Sequence, residues 1–113
     1  MLTIEKLKKY GANVEEGVLR CAKNEALYIR LVGMIPNNPG FNKLYEAIKL
    51  KDYENAFSAS HGLKGILANL SLDPLLKPIV DITEHLRNKE DIDYTKYVSL
   101  IEEKRKELED LMK

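Results

Sequence analysis

Along almost the whole chain the apolar residues return every three or four positions, and the residues that break helices fall between such runs rather than inside them. That spacing lays apolar side chains along one face of a helix and does not suit a strand, whose faces alternate with a period of two. The expectation is an all-α fold. Six Gly and four Pro are few for 113 residues, and most of them act as punctuation. A first segment, Leu2 to Tyr10, ends at Gly11. Asn13 caps a second run through Val14, Val18 and Cys21, after which Asn24 re-caps the chain or kinks it. From Glu25 onward Tyr28, Leu31, Val32 and Ile35 make one stripe, stopped by Pro36-Asn37-Asn38-Pro39-Gly40.

Phe41, Leu44, Tyr45 and Ile48 form the next run, closed by Lys51, with Asp52 as the cap of a helix from Tyr53 to Leu70. Ser71-Leu72-Asp73-Pro74 reads as a turn with Asp73 at the cap and Pro74 at the first helical position, where its missing N–H does no harm. A run through Leu75, Leu76, Ile79, Ile82 and Leu86 follows. Pro78 lies past its first turn and removes a backbone hydrogen bond, so this helix begins late or bends. A last helix, Asp93 to Met112, carries Tyr97, Val98, Ile101, Leu108 and Leu111 on one side and Glu102 with Lys106 as an i,i+4 pair on the other. No repeat, low-complexity tract or linker composition divides the chain. Residues 1–113 are expected to form a single domain, an antiparallel four-helix bundle with short additional N-terminal helices over one end.

Eighteen Lys and Arg balance eighteen Asp and Glu, so the chain has no basic surplus with which to hold a nucleic-acid backbone, and no nucleic-acid partner is expected. Charged residues or Asn interrupt every apolar stretch well short of the roughly 18–20 residues a membrane helix needs, so no membrane insertion is expected. The opening Met1-Leu2-Thr3-Ile4-Glu5-Lys6 lacks the apolar core of a secretion signal, and the single Cys21 cannot form an internal disulfide, which together point to a cytoplasmic location. Cys21 sits on the stripe of Val14 and Val18 and reads as a buried structural thiol. The six tyrosines fall at core or core-edge positions and read as packing residues rather than a stacking surface for bases. Glu102 to Glu107 is mixed in sign, as a solvated helix face is.

The helix from Tyr53 to Leu70 carries the chemistry. At about 100° per residue, Ala56, Ala59, Ser60, Leu63, Ile66, Leu67 and Leu70 share the side turned to the core, and His61 points about 160° away. Around it on the outer face are Phe57 one turn before, Lys64 and Gly65 one turn after, and Ala68 nearly two turns after. A lone exposed histidine on a helix is most often an ordinary surface residue. Here, however, the surrounding face is small or apolar where a solvated helix would carry Glu, Lys and Gln, which suits the close approach of a partner. A neutral imidazole nitrogen is a nucleophile toward activated phosphorus, and a phosphoryl group adds about two negative charges that the Lys64 ammonium can pair with. Gly65 in a helix middle costs about 1 kcal/mol relative to Ala, so a compensating use is expected. No Gly-rich phosphate loop, Ser/His/Asp order, paired carboxylate set or metal-ligand cluster stands out, and His85, beside Glu84 and Arg87, reads as a surface residue.

Ser60-His61-Gly62-Leu63-Lys64-Gly65-Ile66-Leu67-Ala68-Asn69-Leu70 resembles the signature of histidine-containing phosphotransfer (HPt) domains, with its His-x-Leu-Lys-Gly core. The flanks Lys51-Asp52-Tyr53-Glu54-Asn55-Ala56-Phe57 and Leu72-Asp73-Pro74-Leu75 look like those of small bacterial HPt proteins of the receiver-to-receiver type. Asn24-Glu25-Ala26-Leu27-Tyr28 and the segment from Phe41 to Leu50 resemble the earlier helices of that group, so the similarity covers nearly the whole chain. The resemblance implies that His61 takes a phosphoryl group from the aspartyl phosphate of one response-regulator receiver domain and passes it to the aspartate of another. Such a two-component phosphorelay is fed by a hybrid sensor histidine kinase. Lys64 would stabilise the phosphohistidine, and Phe57, Gly65 and Ala68 would admit the receiver. The chain would need no cofactor of its own, the Mg²⁺ for transfer being held by the receiver, and it would be a phosphoryl carrier without an ATP site rather than an enzyme.

Three positions depart from the family pattern. Ser71 stands where Gly is usual, so the turn there is open to a different geometry; Leu67 is bulkier than usual but faces the core, which implies only repacking. Thr83 falls where the chemotaxis-kinase type has a glutamate bonded to the histidine, while Glu84 is one position off, which argues against that subtype. Two rival readings remain in view. One is a non-phosphorylated helical adaptor that binds receiver domains, disfavoured by the intact His61, Lys64 and Gly65. The other is a histidine-based phosphatase or kinase fragment, disfavoured by the lack of an ATP-binding segment and of a second acid or base near His61.

Overall fold

Each apolar run becomes a helix, and the residue at its start fixes where it begins. The computed structural model describes residues 1–113 and has seven helices: α1 (Ile4–Tyr10), α2 (Val14–Arg20), α3 (Glu25–Gly33), α4 (Gly40–Lys49), α5 (Tyr53–Asn69), α6 (Asp73–Arg87) and α7 (Thr95–Asp110). The side chains of Thr3, Asn13, Asn24 and Asp52 each accept a hydrogen bond from a first-turn N–H, so Asn24 starts a new helix rather than kinking an old one. Gly11, at φ 110°, ends α1 in the left-handed conformation that glycine adopts without a Cβ clash.

The four long helices form the bundle. Connections of only a few residues force successive helices to run antiparallel; α5 packs between α4 and α6, and α7 returns along α6. Two contacts close α7 onto the other side. The Tyr45 hydroxyl of α4 donates to Glu102 Oε2 at 2.7 Å. Arg105 of α7 donates through Nε to the Pro36 carbonyl at 2.8 Å and lies 4.7 Å over the Phe41 ring. The molecule measures 41 × 26 × 19 Å. Its core runs the length of the bundle through Phe41, Leu44, Leu63, Leu67, Leu75, Ile79, Ile82, Leu86, Ile101 and Leu108.

The short helices cover the end where α5 turns into α6. The Asn13 N–H donates to the Ser71 carbonyl at 3.0 Å, and the buried Tyr28 hydroxyl donates to the Leu70 carbonyl at 2.9 Å. Gly17 lies so close to the Tyr28 ring and the Leu70 carbonyl that a Cβ there would collide with both. The other five tyrosine hydroxyls are also bonded, to Lys104, Glu102, Asp91, Glu90 and His85, so the tyrosines tie elements together as packing residues. Cys21 is buried.

Several local expectations are corrected. Asp73 is the first residue of α6 rather than its cap, no side chain caps that end, and Pro74 stands one position further in. Pro78 does not delay α6, which begins at Asp73 and continues through Pro78 to Arg87 with the ring buried in the core. The last helix begins at Thr95, its N–H held by the Asp93 carboxylate at 2.9 Å. Glu102 pairs with Arg105 rather than Lys106, whose partner is Asp110. Arg105 itself leaves the solvated face and turns inward, its side chain only 17% exposed. No helix is long and apolar enough to cross a membrane.

Candidate functional site

The face of α5 that bears His61 is the one face of that helix no other helix covers. Ala56, Ser60, Leu63 and Leu67 anchor the opposite side in the core, which turns His61 outward near the middle of the 17-residue helix. The one buried polar group on the inner side, the Ser60 hydroxyl, is satisfied by the Phe57 carbonyl at 3.1 Å. His61 is exposed and its ring makes no hydrogen bond, so both nitrogens are open to an incoming group. Its nearest aromatic neighbour is Phe57 one turn before, ring centroids 5.6 Å apart and tilted by 39°. Lys64 is half-buried and has no ion pair.

The two glycines explain the shape of this surface. A Cβ built on Gly62 or Gly65 would meet nothing within 4 Å, so nothing inside the molecule requires glycine at either position. Each nonetheless forgoes about 1 kcal/mol of helix propensity relative to Ala. Their effect is to leave a flat, bare strip of backbone beside the imidazole. Ala68 continues the strip upward, and its carbonyl is held by Arg20 of α2, which is also paired with Glu16.

Tertiary packing adds two features to this face that helical spacing could not show. On the side toward α6, the Arg87 guanidinium lies 5.0 Å above the Phe57 ring. On the side toward α4, Ile66 is 41% exposed and, with Met34 at 64%, borders a groove between α5 and the α3–α4 connection, floored by Leu31, Ile35, Gly65 and Leu70. Ile66 was expected in the core. It lies about 90° from the centre of the arc defined by the buried residues of α5, and at that edge it packs only if a neighbour reaches over it; the Pro39 turn does not.

The family-pattern departures resolve in physical terms. Ser71 adopts φ 53°, so the turn keeps the left-handed backbone that glycine would favour and a β-carbon is carried there at a cost. Leu67 is fully buried. Thr83 is also fully buried, its hydroxyl bonded to the Ile79 carbonyl of its own helix, while Glu84 points outward to Arg87. Neither supplies His61 with a carboxylate partner. His85 is more than a surface residue: Nδ1 donates to Glu90 Oε2 at 3.0 Å, Nε2 lies 2.8 Å from the Tyr97 hydroxyl, and the ring packs against Tyr97. It clips the α6–α7 connection and lies apart from the His61 face.

No family model, curated protein or solved structure matches the chain. The HPt resemblance therefore rests on the residue patterns of the sequence itself, around His61 and in the helices before it. No group of three or more His, Cys, Asp or Glu side chains comes together in a way that could hold a metal ion.

Proposed function

We propose that the protein is a phosphoryl carrier of the HPt kind, passing a phosphoryl group between aspartates of response-regulator receiver domains through His61. The observation that carries this reading is the bare strip itself: an exposed, unbonded imidazole flanked by two glycines with open space beside them, and an unpaired Lys64 one turn on. An ordinary solvated helix face gains from replacing such glycines; a face that must admit another protein's active site to the imidazole does not.

In the transfer, the lone pair of a neutral ring nitrogen of His61 attacks the phosphorus of the partner's aspartyl phosphate. An N–P bond forms, the carboxylate O–P bond breaks, and the partner's aspartate leaves with the bonding pair; the reverse step loads the next receiver. Lys64 balances charge on the carried group. Mg²⁺ belongs to the receiver in such an exchange. The groove bordered by Met34 and Ile66 extends the docking surface with apolar contact area on the side away from Lys64.

Incubation with a radiolabelled phosphorylated receiver domain and Mg²⁺, comparing wild type with His61→Gln, tests the reading. Acid-labile, base-stable label on the wild type alone is expected. Binding of several receivers with no label on the wild type would replace the carrier with a receiver-binding adaptor, and label persisting in His61→Gln would remove His61 from the role.

A further inference from the structure

The uncovered side of α5 differs from end to end in a way that makes it complementary to itself. Beside the N-terminal half of the helix, between α4 and α5, runs a groove of about 630 Å³ lined by Ala47 and Leu50 of α4 and by Ser58, Ala59 and Gly62 of α5. Leu50 stands on it 75% exposed. Beside the C-terminal half, on the same α4 flank, the exposed side chains of Met34 and Ile66 form an apolar edge. Charge is graded in the same direction. Glu54, two turns before His61 and about 20° around the helix from it, is exposed and has no ion pair. The opposite end carries Arg20, which holds the Ala68 carbonyl, pairs with Glu16 and keeps its side chain 43% exposed. A recess and an anion at one end match an apolar edge and a cation at the other, provided that two such faces meet head to tail.

We propose that this face pairs with a second copy of the chain, the two α5 helices meeting antiparallel about a two-fold axis beside His61. Such a contact is isologous, so each complementary pair of features is used twice. The Met34–Ile66 edge of each copy enters the α4–α5 groove of the other, and Glu54 of each comes to the Arg20 end of its partner. The open backbone at Gly62 and Gly65 lets the helices close on one another. With 17 residues α5 is about 25 Å long, and a contact one helix wide covers some hundreds of Å² on each copy. That is below the roughly 1,200–2,000 Å² of lasting interfaces, so the pair is weak and exchanges readily. His61 lies at its centre. Pairing therefore withholds the imidazole from a receiver, and the share of chains open to loading falls as protein concentration rises. The pairing itself stands apart from the carrier reading; its effect on loading rests on that reading.

Sedimentation equilibrium from about 10 μM to 1 mM, the range in which weak pairs dissociate, tests the pairing. The average mass is expected to climb from 13.0 kDa toward twice that value. Glu54→Lys and Leu50→Lys alter exposed residues outside the core, and each should weaken the pair about tenfold because a two-fold contact applies every change twice. Thermal unfolding checks that both remain folded. Orientation is read by mixing Met34→Cys chains with Leu50→Cys chains under mild oxidation, the buried Cys21 being left in place. A disulfide between the two kinds of chain should form faster than either homodisulfide. A mass that stays at 13.0 kDa up to about 1 mM would overturn the proposal, as would a pair that both lysine variants leave intact or homodisulfides that form faster. The rate of label transfer per chain from a phosphorylated receiver should fall with concentration in wild type and hold steady in Leu50→Lys. A paired wild type whose rate ignores concentration would refute the masking of His61. A wild type that takes no label would end the carrier reading, while the mass and disulfide measurements would still decide the pairing.

Discussion

Replacing Gly65 should make the protein more stable and less able to transfer. A Cβ at this position meets nothing within 4 Å, so Gly65→Ala adds no collision and gains the helix propensity that glycine forgoes, about 1 kcal/mol. For a chain of this size that corresponds to a melting temperature higher by about 3–5 °C. Gly65→Gln should gain about half as much stability, since its longer side chain has some rotamer cost. Docking responds in the opposite sense. At about 40° around the helix from His61 and one turn on, an added glutamine side chain would stand on the bare strip where a partner must approach. Overpacking a close interface costs about 1–3 kcal/mol, so transfer to Gly65→Gln should slow by about tenfold or more. Circular dichroism melts and the rate of label transfer from a phosphorylated receiver measure the two arms on the same samples. Gly17→Ala is the contrasting case: its Cβ would run into Tyr28 and the Leu70 carbonyl, so it should lower the melting temperature. A Gly65→Gln protein that is stabilised and transfers at the wild-type rate would show that the partner approaches elsewhere. A destabilised Gly65→Ala would refute the claim that its surroundings are open.

Two further outcomes concern the fold around the site. Ser71→Gly removes a β-carbon from a residue held at φ 53° and should raise stability by about 0.5–1 kcal/mol, the relief of left-handed strain being offset in part by glycine's larger entropy loss on folding; a lower melting temperature would mean that the buried serine side chain contributes more by packing than its backbone costs. At alkaline pH the protein should lose stability between pH 10 and about 12. Burial pushes the Tyr28 phenol up to about 12, with the charges of Cys21 and Asp73 adding to it. Burial, with the charge of Glu90 and other neighbours, does the same to Tyr94, also to about 12. The folded state thus keeps phenolic protons that the unfolded chain releases near pH 10, so stability present below that pH falls as pH rises through the window. Denaturant melts across the range, with tyrosinate absorbance as the second probe, would contradict this if stability stayed level.

Much of the architecture was legible in the sequence, because helix boundaries and the inward face of an amphipathic helix are set by residues close together in the chain. Asn13, Asn24 and Asp52 cap helices by bonds to N–H groups three residues on, and the Pro36–Gly40 stretch stops a helix wherever it occurs. The same locality made the His61 face legible: Phe57, Lys64, Gly65 and Ala68 share it by helical geometry alone. The misreadings arise where a residue's fate depends on another helix. Pro78 suggests a late start to α6, yet the helix already begins at Asp73 and buries the proline ring in the core against its neighbours. Arg105 and His85 looked solvated in their own helices, but Phe41 and the Pro36 carbonyl capture one, while Glu90 and Tyr97 capture the other.

At the candidate site the division is the same. The spacing of residues along α5 determined which side chains surround the imidazole, because about 3.6 residues per turn decides that without reference to anything else. Only the tertiary structure decided what borders that face: Arg87 arrives over Phe57 from the far end of α6, and Ile66 stays uncovered because the Pro39 turn does not reach over it. Those outcomes depend on how far helices stand apart and where their ends fall in space, distances that no local spacing in the chain encodes.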